Sequence, residues 1–421
     1  MYQRTVIPNG TRVLTEYIPH VRSVTLGVWF ETGSRDENQD QLGYAHLLEH
    51  MTFKGSERYG QRDIAEQMDA CGGQLNAFTG KEYTCYYARV LDENLPLAVD
   101  ILQEILMFPL LATDELDKER GVILEEIKMY EDTPDDQVHD YLCELLWPDH
   151  PLGRNILGTR ESILKVKRSE LVSFMQQYYT SDRMIIAAAG NVDHDQLVKL
   201  AEQFSGLVRP SVTNTTKRPI TNVGQRFNKF KEIEQTHLCL GGPAICRVDA
   251  RKYVLHLLDT ITGGGMSSRL FQELRENRGL VYSTYSYHSS YRDTGNFGVY
   301  AGCSHEQVNQ VIDVMQEQLT ALGTQQIAQD ELVRAKGQLK GSLVLSLEST
   351  TNLMTKLAKS EMNYGRIFPT DEILAAIDSV SILQIRDLAQ ELYNPAKWSI
   401  ACVGQANEPF YQSSLSEGRL T

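Results

Sequence analysis

A chain of 421 residues is too long for one comfortable hydrophobic core, and at about 150 residues per domain it divides into two or three. Apolar residues make up 42 % and charged residues 23 %, which excludes a disordered or fibrous chain. The 55 acidic against 41 basic residues leave a formal net charge of −14, which excludes the basic face of a nucleic-acid binder and favours cationic partners.

The first residues, 1–7, carry no long apolar run. They lead to Asn9-Gly10, a hairpin-turn dipeptide between strand-like stretches, so the chain is expected to begin inside a folded domain without a signal peptide. Residues 21–32 read as a strand with Val24, Leu26, Val28 and Phe30 on one face, and 42–53 as a helix. Residues 75–91 hold two β-rich runs broken near Gly80-Lys81. Within them 75–79 reads as an exposed edge strand, with Asn76 and Thr79 alternating with Ala77 and Phe78. A long amphipathic helix is expected over 114–131 and a buried strand over 183–189, ending at Gly190. No stretch approaches the roughly 18 apolar residues of a membrane span. The seven cysteines are scattered and lack CxxC pairs, which argues against a disulfide framework or a cysteine metal site and for a reducing cytoplasm.

The plan occurs twice. Asp114-Glu115-Leu116 followed by Gly121 matches Asp330-Glu331-Leu332 followed by Gly337. The strand 184–190 matches 398–404, and His46-Leu47-Leu48-Glu49-His50 matches His256-Leu257-Leu258-Asp259-Thr260. Three matches in one order at nearly one spacing indicate a duplicated domain. The expected fold class is α+β: two homologous domains, 1–208 and 225–421, each a mainly antiparallel sheet packed with helices. The polar stretch 209–224 between them reads as a linker.

Chemistry concentrates at 46–50. On a helix, His46 and His50 are four residues apart and share a face, so both imidazoles reach one metal ion. Glu49 leans to the same side, while Leu47, Leu48 and Met51 fall opposite, where they pack into a core. The order is H-x-x-E-H, the inverse of H-E-x-x-H. A catalytic zinc has three protein ligands and one open position, so a third ligand is required. On the 114–131 helix the apolar stripe Leu116, Ile123, Ile127 and Tyr130 is flanked by Glu119 and Glu126, about two turns apart, whereas Glu125 points to solvent. Either half-buried carboxylate is a metal ligand or a salt-bridge residue by this reading alone. In the second copy His50 becomes Thr260, Glu49 becomes Asp259 and Glu126 becomes Ser342, which argues for a single metal site in the N-terminal half.

Three segments resemble the pitrilysin/insulinase metallopeptidases, the inverzincins that include the mitochondrial processing peptidase subunits: 46–55, Leu-Asn-Ala-Phe-Thr at 75–79, and 119–127. The resemblance covers nearly the whole chain. The family's third ligand, a glutamate about 76 residues beyond the second histidine, falls on Glu126, and its supporting acidic residue falls on Glu119. The resemblance also implies that an arginine and a tyrosine seven residues apart contact peptide, here Arg275 and Tyr282. It implies a peptide-binding strand at Asn76, Ala77 and Phe78, and a chamber formed between two chains.

These readings predict a zinc-dependent endopeptidase with one Zn²⁺ per chain held by His46, His50 and Glu126. Glu49 is the expected proton acceptor and donor, with Glu119 supporting the site. Its expected substrates are short, unfolded, basic peptides. It is expected to be a cytoplasmic homodimer, or a heterodimer, without nucleic-acid or membrane partners. The alternatives are a processing-peptidase subunit active only with a different partner chain, a non-catalytic zinc-binding scaffold subunit, and a peptide-binding module without hydrolysis.

Overall fold

A computed structural model describes residues 2–207, 219, 221–325 and 327–406, so most of the expected linker lies outside the described residues. Six strands form one sheet: β1 (Tyr2–Val6), β2 (Arg12–Tyr17), β3 (Ser23–Phe30), β4 (Gln74–Thr79), β5 (Thr84–Leu91) and β6 (Met184–Gly190). Their order is β1-β2-β6-β3-β5-β4. Five more form a second sheet: β7 (Arg226–Phe230), β8 (Thr236–Ala244), β9 (Val281–Ser290), β10 (Gly295–Cys303) and β11 (Ser399–Gly404), in the order β7-β11-β8-β10-β9. The pairs β2 with β6 and β7 with β11 are parallel, and all others are antiparallel. The second sheet thus repeats the order β2-β6-β3-β5-β4 of the first, parallel pair included, as expected of a duplicated α+β fold.

Compactness divides the chain into Met1–Lys128 with Asn155–Thr216 and Leu345–Ile367, and Met129–Arg154 with Lys217–Val344 and Phe368–Thr421. Each unit takes in a helix that is remote in sequence. In the first, β3 is buried on both faces. Val24, Leu26, Val28 and Phe30 enter the core beneath the helices α1 (Tyr44–Thr52), α2 (Gln61–Ala70) and α3 (Leu95–Met107). Trp29 faces the other way, against Leu353, Met354 and Leu357 of the Thr350–Tyr364 helix, and its indole N–H donates to Met354 Sδ at 3.2 Å. That helix approaches so closely that a Cβ on Gly27 would lie 2.5 Å from Met354 Sδ. The same double burial explains why β6 is an unbroken apolar run, with Ile186 and Ala188 on one face and Ile185, Ala187 and Ala189 on the other.

In the second unit, the helix α5 (Pro134–Leu146), which follows α4 (Thr113–Glu131), packs Val138, Leu142, Leu145 and Leu146 with Cys239, Ala401 and Val403 of the sheet. The opposite face is covered by the Lys252–Gly263, Val308–Thr324 and Ile382–Leu392 helices. All seven cysteines are free thiols. Among the described residues no helix is long and apolar enough to cross a membrane.

Candidate metal centre

The helix that carries His46, Glu49 and His50 is held rigidly at three points. Leu47, Leu48 and Met51 are fully buried, and each contributes about 1.5–3 kcal/mol of apolar burial that fixes the rotation of α1. Gly43 begins the helix at φ +85°, a left-handed conformation that favours glycine, and a Cβ there would lie 2.6 Å from the Leu157 carbonyl oxygen. The unsatisfied amides of the first turn are capped by one buried carboxylate, Glu37, whose two oxygens accept from Gly43 N–H at 3.0 Å and Ala45 N–H at 2.8 Å.

With the apolar side fixed, the polar side of α1 meets α4. Leu116 and Ile123 seat α4 in the core, and Glu119 is buried on the same stripe. Glu126, two turns further on, brings Oε1 to 3.8 Å from His46 Nε2 and Oε2 to 3.8 Å from His50 Nε2. The two imidazoles lie 4.6 Å apart between centroids, and donor atoms of all three residues fall within 4.8 Å of one another. Among the described residues this is the one group of three or more metal-ligating side chains so close together. Glu125 points away, and Lys128 pairs with it at 2.5 Å.

The set fits a zinc ion. In tetrahedral coordination at about 2.0–2.1 Å, neighbouring donors stand about 3.3–3.4 Å apart, so the 3.8 Å separations close by small side-chain rotations. Burial, reinforced by the neighbouring His50, lowers the His46 pKa to about 4, which keeps this imidazole neutral and ready to ligate. His50 Nδ1 meets Glu119 Oε2 at 3.0 Å, and Lys54 Nζ holds the other oxygen of Glu119 at 2.6 Å. The carboxylate thereby selects the tautomer that leaves the His50 Nε2 lone pair facing Glu126. His46 Nδ1, in contrast, is buried without a hydrogen-bond partner among the described residues.

Glu49 sits one residue before His50, with Thr79 Oγ1 donating to its Oε2. Burial raises its carboxyl above the usual range. The Thr79 bond and the field of His50 oppose that shift, and Glu126 adds to it. A carboxyl so shifted is a better proton acceptor near neutrality than an exposed one.

Among the described residues β4 is the outer strand of its sheet and pairs only with β5. A groove of about 640 Å³ runs beside it, lined by residues that include Phe53, Ile64, Met68, Leu75 and Asn76. One sequence expectation is corrected here. A strand's side chains alternate with period two, so Thr79 shares a face with Ala77, and Asn76 shares one with Phe78. Leu75 and Ala77 pack into the core beneath α1, whereas Phe78 packs edge-on against Trp29 on the opposite face.

Arg275 and Tyr282 lie in the second unit. The Arg275 guanidinium stacks at 5.0 Å over the Tyr282 ring and at 5.0 Å over Phe271, and Tyr282 is 75 % exposed. That unit's counterpart of α1, the Lys252–Gly263 helix, carries His256 and Asp259. Asp259 is taken up by Ser286 Oγ at 2.5 Å and His288 Nδ1 at 3.1 Å, and Thr260 Oγ1 turns back to the His256 carbonyl. Three contributors to the first centre have no signal in the motif itself: Glu37, Lys54 and Thr79. Only the i+4 spacing of Lys54 from His50 offered a local hint.

Residues 12–160 match insulinase (peptidase family M16), and residues 165–339 match the peptidase M16 inactive domain. The chain belongs to peptidase family M16. An uncharacterized zinc protease of Streptomyces coelicolor is 43 % identical over 93 % of this chain and 87 % of its own length. The uncharacterized zinc protease YmxG of Bacillus subtilis is also 43 % identical, over 93 % of this chain and 96 % of its own. Among solved structures, a peptidase M16 inactive domain from Pseudomonas fluorescens superposes with a TM-score of 0.90 at 21 % identity, covering 97 % of this chain and 100 % of that one. A protease from Helicobacter pylori gives 0.88 at 19 %, covering 96 % and 99 %. By membership the chain is a metallopeptidase, and the M16 fold accounts for both of its sheets.

Proposed function

We propose that this M16 peptidase is a zinc-dependent endopeptidase that cuts short, unfolded and preferentially basic peptides. The observation that carries the reading is the convergence of His46 Nε2, His50 Nε2 and both oxygens of Glu126, with Glu49 adjoining them. His46, His50 and Glu126 hold the ion, consistent with the relatives named as zinc proteases. Bound there, zinc supplies Lewis acidity toward water and the scissile carbonyl.

The chain's own residues do the rest. Glu49 takes the proton of the attacking water on Oε1, the oxygen not engaged by Thr79, and hands it to the departing amine nitrogen. Glu119, locked by Lys54, keeps the His50 ring oriented. The free edge of β4 pairs with an extended peptide through main-chain hydrogen bonds, which favours unfolded segments over folded proteins. The formal charge of −14 supports a preference for cationic peptides. The Arg275 and Tyr282 stack offers an exposed aromatic hydroxyl and a guanidinium to peptide carbonyls. The resemblance to two-chain members of the family supports a homodimer, which sedimentation of the purified chain tests directly.

The deciding experiment is metal analysis of the purified chain, followed by digestion of a mixed oligopeptide pool by the parent and by Glu49→Gln. The expected result is about one zinc in each protein and cleavage by the parent alone, abolished by a chelator. A scaffold or a binding module has no use for a proton acceptor, so undiminished cleavage by Glu49→Gln, or a parent that binds zinc without cutting, overturns the proposal.

A further inference from the structure

We infer that Thr79 is a positioning residue that fixes the Glu49 carboxylate and ties it to the strand on which a peptide would lie. The inference rests on the reading of Glu49 as proton acceptor and goes beyond it by naming what aims that carboxylate.

Thr79 is the last residue of β4 and faces α1, on the same side as Leu75 and Ala77. Its hydroxyl donates to Glu49 Oε2. Among the described residues this hydroxyl is the one hydrogen-bond partner of the Glu49 side chain, so Oε1 is left open. A glutamate has three side-chain torsions, and one hydrogen bond to a stiff, β-branched residue removes most of that freedom. The Thr79 backbone is itself fixed, since Thr79 pairs with Thr84 in β5. The acceptor oxygen is therefore referenced to β4. A peptide added to the β4 edge is referenced to the same strand, so acceptor and scissile bond keep a common frame.

The second unit supplies an independent comparison. β9 is its outer strand, as β4 is in the first, and the Lys252–Gly263 helix occupies the place of α1. There Ser286 of β9 donates to Asp259 Oδ1 at 2.5 Å, the same link from strand hydroxyl to helix carboxylate. The link persists although the positions of His50 and Glu126 hold Thr260 and Ser342. One feature differs: His288 engages the remaining oxygen of Asp259 at 3.1 Å. With both oxygens engaged, that carboxylate only joins strand to helix. In the first unit one oxygen is tethered and one is free, which is the arrangement a proton acceptor requires.

The test compares Thr79→Val, which keeps the shape and removes the hydroxyl, with Thr79→Ala, which also lacks it, and Thr79→Ser, which retains it. Three quantities are measured: zinc content, kcat and KM on one oligopeptide, and the ¹³Cδ resonance of Glu49 in metal-stripped protein, assigned by its absence in Glu49→Gln. For Val and Ala, kcat is expected to fall about 10- to 100-fold, the usual cost of losing an outer partner, with KM changed by less than about twofold and zinc retained. Ser is expected to stay within about threefold of the parent in kcat. The Glu49 resonance moves in Val and Ala and stays in Ser. The inference is overturned if Val and Ala keep the parent's kcat, if Ser falls with them, or if their loss follows loss of zinc. It is also overturned if the resonance is the same in all four proteins. Cleavage by Glu49→Gln would instead remove the proton-acceptor role, while the resonance still reports whether Thr79 holds the carboxyl.

Discussion

Acidifying the metal-stripped protein should destabilise the first unit through a single imidazole. His46 is held neutral in the fold, with its pKa lowered from 6.5 to about 4 by burial and by the neighbouring His50. The Glu126 carboxylate, 3.8 Å away, pulls the other way and is outweighed. The unfolded chain binds a proton at this position below about pH 6.5, and the folded chain does so only below about pH 4. Between those values the unfolded state carries more protons, so stability rises with pH and is lost as pH falls. At about 1.4 kcal/mol for each tenfold change in proton affinity, a pKa lowered from 6.5 to about 4 amounts to about 3 kcal/mol by pH 4, and the His46 side chain is only 12 % exposed. Trp29 is the tryptophan of this unit, so urea unfolding is followed by its fluorescence after Trp147→Phe and Trp398→Phe remove the other two. The parent should lose about 3 kcal/mol more than His46→Gln between pH 6.5 and pH 4. An equal loss in both proteins, or a His46 imidazole resonance, assigned by its absence in His46→Gln, that titrates near 6.5, would refute the account of a buried, neutral ligand.

Three further outcomes are expected. Glu126→Gln should lose zinc to a chelator concentration that leaves the parent loaded, whereas Glu125→Gln, altering an exposed carboxylate paired with Lys128, should match the parent. Glu119→Gln should weaken zinc binding by about 10- to 100-fold, measured by competition with a chromophoric chelator, because the His50 imidazole loses its charged acceptor and Lys54 its partner. Glu37→Gln should cost about 1–2 kcal/mol in the same Trp29 unfolding assay, because an amide caps the start of α1 less well than the buried carboxylate that accepts from Gly43 and Ala45.

What the sequence revealed and what it hid divide along the range of the interactions. Periodicity found α1, β3 and α4, because each side of those elements is decided by neighbours three, four or two residues away. The same arithmetic separated Glu126 from Glu125, since one residue turns a helix by about 100°. It misassigned the faces of β4 only where the period of two was misapplied to Asn76 and Thr79. Glu37, Lys54 and Thr79 escaped for a different reason. Glu37 precedes the helix it caps, Lys54 reaches a carboxylate on another helix, and Thr79 is 30 residues from Glu49. Apart from the i+4 spacing of Lys54 from His50, nothing local distinguishes them from surface polar residues. The amphipathic pattern of the Thr350–Tyr364 helix likewise announces an apolar face without saying which sheet that face covers, and it covers β3 and β6.

The duplicated fold carries the comparison further than either half alone. Two sheets of the same order bring a helix carboxylate to an outer strand, at Glu49 and at Asp259. In the second unit, Thr260 spends its hydroxyl on its own helix and His288 engages the last oxygen of Asp259, so the counterparts of His50 and Glu49 are both taken up by the fold. In the first, Glu126 faces His46 and His50 at 3.8 Å each, and one oxygen of Glu49 has no hydrogen-bond partner among the described residues. A buried His46 Nδ1 and a half-buried Glu49 with one oxygen open, set against a copy whose carboxylate is engaged at both oxygens, are costly to a fold that only has to be stable. That cost, borne on one side of an internal repeat, is the physical argument that the first unit is where the chemistry takes place.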